Sequence, residues 1–63
     1  MSKGNIKKIL VIDGQGGKLG KQLIEAIKAR INNIEITAIG TNGIATATML
    51  KGGADYAATG ENP

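Results

Sequence analysis

The residues that could do chemistry stand together as Asp13-Gly14-Gln15-Gly16-Gly17-Lys18-Leu19-Gly20. Glycines at this density serve tight turns, close approach of backbone to a ligand, and close packing of a helix on a strand. If a helix starts at Lys18, its N-terminus offers unpaired N–H groups and the positive end of its dipole to a phosphate. Lys18 and Lys21 add positive charge nearby. The spacing fits no standard fingerprint. A G-x-G-x-x-G motif from Gly14 needs glycine where Leu19 stands, and the chain offers Gly14, Gly16 and Gly20 instead. A P-loop is excluded because five residues separate Gly14 from Gly20-Lys21, and Gln22 replaces the magnesium-binding hydroxyl. Thr41 and Asn42 occupy the place of the acidic residue that would hold a ribose hydroxyl. They can bond a ribose or a 2′-phosphate, or simply cap a helix.

Asp13 has two readings. A lone strand-end carboxylate can hold Mg²⁺, act as a general base or bond a ribose. The favoured reading is that it accepts backbone N–H groups of its own turn, as Asx residues do. The candidate ligand site is Asp13, Gly14, Gln15, Gly16, Gly17, Lys18 and Gly20 with Thr41 and Asn42. The cofactor is not specified by the residues; NAD(P) or another nucleotide fits them. The competing view is that the glycines serve packing and turn geometry alone. Replacing Gly17 with a bulky acidic residue is expected to abolish binding and leave the helix formed.

Composition excludes other chemistries. The chain has no His, Cys, Trp or Phe, which removes disulfides, thiolate or imidazole metal sites and His-based triads. No metal site is expected. With one strand-end carboxylate and no good general base near neutral pH, enzyme activity is not expected from this chain alone. Net charge is +3, and up to Arg30 seven Lys/Arg stand against Asp13 and Glu25. Such a front end attracts phosphate-bearing partners. Single-stranded nucleic acid is not the expected partner, because its readers use aromatic platforms and Tyr56 is the one aromatic ring. Tyr56 can stack on a base, but core or interface filler is the simpler role. The apolar run Ile9–Ile12 is far short of the roughly 20 residues of a membrane span, and residues 1–5 are not expected to act as a secretory signal. A cytoplasmic location is expected.

The elements that must position the turn follow from periodicity. A strand is expected over about 6–13, where a short continuous apolar run bounded by Lys7-Lys8 and Asp13-Gly14 reads as buried on both faces of a parallel sheet. From 18 to about 31 the period becomes helical, with Leu19, Leu23, Ala26, Ile27 and Ile31 on one face. Glu25 and Lys28 are placed to pair at i,i+3. Residues 34–39 read as a second strand, with Ile34 and Ile36 on one face and Ile39 on the other. A second helix spans about 43–51, capped by Thr41 or Asn42 and closed by Gly52-Gly53. A third strand can begin at 54.

This βαβα pattern is half of a Rossmann-like doubly wound parallel sheet within a single partial domain, 1–63. Sixty-three residues are few beside the ~100–150 of a common domain, and two parallel strands do not make a stable sheet. The chain is expected to be a fragment of a larger sheet or a homo-oligomer completed through the open edge of its first strand. If the strands are parallel, Asp13–Gly20, Gly40–Gly43 and Thr59–Asn62 lie side by side at their carboxyl ends, the usual ligand edge.

Four blocks carry a resemblance: Val-Ile-Asp-Gly-Gln-Gly-Gly-x-x-Gly-Lys-Gln from Val11, Ile-Gly-Thr-Asn-x-Ile-Ala-Thr from Ile39, Met-Leu-Lys-x-Gly-Ala-Asp from Met49, and Ala-Thr-Gly-Glu-Asn from Ala58. They resemble a small bacterial family described only as a domain of unknown function. The resemblance spans essentially the whole chain and implies a Rossmann-like nucleotide-binding fold. Members of that family are longer, so it also implies that this chain is an N-terminal half. It supplies no activity, so it bears on fold and site location alone.

Overall fold

In residues 34–40, Ile34, Ile36, Ala38 and Gly40 are buried while Glu35, Thr37 and Ile39 are half-exposed. That period of two marks a strand with its covered face towards a helical layer. The computed structural model describes residues 5–60. The elements are β1 (Lys7–Asp13), α1 (Lys18–Arg30), β2 (Ile34–Gly40), α2 (Gly43–Lys51) and β3 (Tyr56–Thr59). The strands form one parallel sheet in the order β1-β2-β3. This is a small α/β unit of β-α-β-α-β order, the arrangement of a Rossmann-like half.

Register fixes what meets at the carboxyl edge. Asp13 lies beside Gly40, and Gly40 beside Thr59. The Gly60 N–H donates to the Gly40 carbonyl at 2.9 Å, so the three strand ends are drawn together as their parallel order requires. Glu61 and Asn62, expected on the same edge, lie outside the described residues.

One core holds the unit. Val11, Ile34, Ile36 and Ala38 of the sheet meet Ile24 of α1 and Met49 of α2, with Ala54 closing one end. Both helices therefore cover the same face of the sheet. Burying Ile24, Ile36 and Met49 completely contributes about 1.5–3 kcal/mol each.

Three expectations are corrected here. First, among the described residues β1 is covered on one face only: Val11 is buried and Ile9 half-buried, but Leu10 is 58% and Ile12 62% exposed on the face opposite the helices. Second, α1 does not seat the stripe expected from its sequence. Leu19 is 76% and Leu23 50% exposed, and the packed line runs through Gly20, Ile24 and Ile27. The cause is close approach. A Cβ on Gly20 would sit 2.5 Å from Met49 Sδ, so the helices touch where α1 has no side chain, and that contact rotates Leu19 and Leu23 outwards. Third, Glu25 pairs with Lys21 at i,i+4 (2.9 Å), and Lys28 reaches instead to Asp55 (2.8 Å).

Candidate functional site

The glycine turn is built by bonds that begin at Asp13. Its Oδ1 accepts the Gly14 N–H at 2.8 Å and its Oδ2 accepts the Gly20 N–H at 2.7 Å. The first of these is a bond to an N–H group of its own turn, the role favoured from sequence, and the second ties the strand end to the first turn of α1. The Gly17 N–H closes a β-turn onto the Gly14 carbonyl at 2.9 Å. Gln15 within that turn has φ 52°, a left-handed conformation uncommon outside glycine.

A second loop braces the first. Asn42 Oδ1 accepts the Ala45 N–H at 2.8 Å, which caps α2, while its Nδ2 donates to the Gln15 carbonyl at 3.0 Å. Asn42 is thus both cap and strut, and its side-chain amide is engaged on the protein itself. The Thr41 N–H donates to the Asp13 carbonyl at 3.0 Å. The Thr41 hydroxyl lies where a Cβ on Gly14 would come within 2.6 Å of it. The structure therefore brings Thr41 and Asn42 to the glycine turn, as members of its scaffold. At the far side Thr46 and Thr59 share a hydroxyl–hydroxyl bond of 2.7 Å, linking α2 to β3. No pattern in the sequence announces that pair, because their separation follows no helix or strand period.

The glycines divide sharply. Gly17 has φ 74°, and a Cβ there would meet the Ala45 carbonyl oxygen at 2.7 Å. Both its backbone and its neighbour favour glycine, so an acidic residue at Gly17 strains the fold and cannot serve as the clean probe expected from sequence. Gly20 is needed for the contact with Met49. Gly16 differs: a Cβ there meets nothing within 4 Å, and its φ is not positive. Neither conformation nor packing within the described chain asks for glycine at this position.

Around Gly16 lies a pocket of about 150 Å³ lined by Asp13, Gly14, Gln15, Gly16, Gly17, Lys18 and Leu19. The N–H groups of Gly16, Lys18 and Leu19 have no acceptor among the described residues. These donors lie at the positive end of the α1 dipole, beside the Lys18 ammonium. Tyr56 is elsewhere. It begins β3 at the opposite end of the sheet, 59% exposed, and lines a separate pocket with Glu35 and Asp55.

The family model for a domain of unknown function, DUF3842, matches residues 8–63. The chain belongs to the DUF3842 family. No match was found among curated proteins or among solved structures. The DUF3842 match runs from β1 through both loops of the carboxyl edge, so the glycine turn and its brace are part of the family's own domain. Among the described residues, no helix of the DUF3842 chain is long and apolar enough to cross a membrane.

Proposed function

We propose that the chain binds a nucleotide or dinucleotide, with a phosphate seated on the glycine turn. The observation that carries this is Gly16: a glycine without internal cause among the described residues, at the rim of a pocket where N–H groups with no acceptor among those residues head a helix. A ligand that approaches the backbone closely supplies the missing cause. In this reading Gly16, Lys18 and Leu19 give backbone N–H groups to the phosphate, and Lys18 adds its charge. Asp13, Gly14, Gln15, Gly17, Gly20 and Asn42 hold the turn in shape. Thr41, at the next strand end, is the candidate to bond the sugar. NAD(P) is one ligand of the right class, and no reaction is assigned to the chain. Native mass spectrometry of the purified protein tests the proposal. A retained nucleotide mass that Gly16→Asp removes supports it; a bare chain, unchanged by added nucleotides, refutes it.

A second reading concerns assembly, and a specific observation favours it. β1 has a strand on one side only among the described residues, and Leu10 and Ile12 stand uncovered beside that edge. Antiparallel pairing of β1 with its counterpart in a second copy, centred on Leu10, sets Lys7 opposite Asp13 and Ile9 opposite Val11. We infer a homo-oligomer joined through this edge. Sedimentation across a concentration series should show association that Leu10→Lys with Ile12→Lys abolishes. A concentration-independent monomer would sink the idea. A cytoplasmic location accords with both readings.

A further inference from the structure

We infer that the ligand carries more than one phosphate, and that the second anionic group lies in a groove between α1 and α2 held by Lys18, Lys21 and Lys51. The inference rests on the turn being a phosphate site. The groove has a volume of about 420 Å³ and is lined by Gly16, Lys18, Lys21, Gln22, Thr48 and Lys51. Water occupies about 30 Å³ per molecule in the liquid, so a phosphate or diphosphate fits. Gly16 and Lys18 line both this groove and the pocket of the turn, so the two spaces adjoin at the open glycine.

Charge sets the class of ligand. Among the described residues the lining contains three lysines and no carboxylate. Among the described residues Glu25 pairs with Lys21, at 2.9 Å across one helical turn, which offsets part of the Lys21 charge. Gly52 keeps the helices close here, since a Cβ on it would lie 2.8 Å from Lys21 Cγ. Its N–H also takes the Met49 carbonyl at 3.0 Å and the Thr48 carbonyl at 3.2 Å, which blunts the negative end of the α2 dipole. The Thr48 hydroxyl donates to the Ile44 carbonyl at 2.9 Å and the Lys21 ammonium is paired with Glu25, so the groove's donors without a partner among the described residues are the Lys18 and Lys51 ammonium groups and the Gln22 amide. A single exposed lysine gains little from one phosphate in water. Several aimed at one groove favour a polyvalent anion over a monovalent one, because each added negative charge meets all of them.

Calorimetric titration of the full chain with orthophosphate and with tripolyphosphate tests this at fixed ionic strength. Tripolyphosphate should bind about tenfold or more tightly than orthophosphate, as charge-assisted contacts add along the chain. Lys51→Ala should reduce that ratio several-fold. Arg30→Ala removes the same charge at the far end of α1 and should leave the ratio unchanged. An unchanged ratio in Lys51→Ala, or an equal fall in Arg30→Ala, overturns the inference. If orthophosphate binds and Gly16→Asp removes it while Lys51→Ala has no effect on the ratio, the turn remains a phosphate site and the groove does not. Binding of neither anion would overturn both.

Discussion

The Gly20 amide donates to Asp13 Oδ2 at 2.7 Å, and this bond joins the last residue of β1 to the first turn of α1. With the Gly14 N–H on its other oxygen, the Asp13 carboxylate organises the whole turn. Asp13→Ala leaves two backbone donors without their acceptor and should destabilise the fold by about 1–3 kcal/mol. Asp13→Asn keeps one oxygen and should fall between the variant and the wild type. Urea denaturation checks the order, and an Asp13→Ala midpoint equal to that of the wild type would contradict this role.

Gly16 and Gly17 are neighbours with opposite sensitivities. Gly17→Ala meets both a left-handed backbone and the Ala45 carbonyl oxygen, and should cost about 2 kcal/mol or more. Gly16→Asp meets neither and should stay within about 0.5 kcal/mol of the wild type. Thermal unfolding of the two variants measures the contrast directly. Equal losses in both would mean that Gly16 is structural after all.

Asn42→Ala removes the α2 cap and the strut to Gln15 together. The cap alone is worth about 1 kcal/mol. The strut predicts something a cap would not: faster amide exchange at Gly16 and Gly17 in the neighbouring loop. Exchange that accelerates only within α2 would limit Asn42 to capping.

Much of this was legible in the sequence. The placing of Ile34 and Ile36 on one face and Ile39 on the other marks β2 as a strand, and Asp13 reads as an acceptor for N–H groups of its own turn. The seating of α1 was not legible. Its sequence carries apolar residues at Leu19 and Leu23 as well as at Ile24 and Ile27, and the choice between them lies in a contact between Gly20 and Met49. The division of labour among the glycines was equally hidden. Only the positions of Ala45 and Thr41 in space show that Gly17 and Gly14 are hemmed in while Gly16 is free. Lys28 found Asp55, 27 residues away, rather than the nearer Glu25, because β3 returns beside β2 and carries Asp55 to the flank of α1.

That ion pair gives a pH dependence. The hydrogen bond from Lys28, then that from the Ile36 amide, hold the Asp55 carboxyl below its ordinary value of 3.8. A depressed carboxylate pKa contributes stability that is present above the unfolded value and lost as pH falls through the folded one. The stability gap between wild type and Asp55→Asn should therefore be widest above about pH 5 and narrow below 3.8. Denaturation curves at several pH values test this, and a gap that does not change with pH would contradict it.

The central claim is that backbone N–H groups at the head of α1 receive a phosphate. Titration of the ¹⁵N-labelled chain with inorganic phosphate, followed amide by amide, tests it most directly. The account predicts saturable shifts concentrated at Gly16, Lys18 and Leu19, absent in Gly16→Asp, with the Gly20 amide little moved because Asp13 already holds it. Shifts spread evenly over the lysine-bearing surfaces, or none at these three amides, would contradict it.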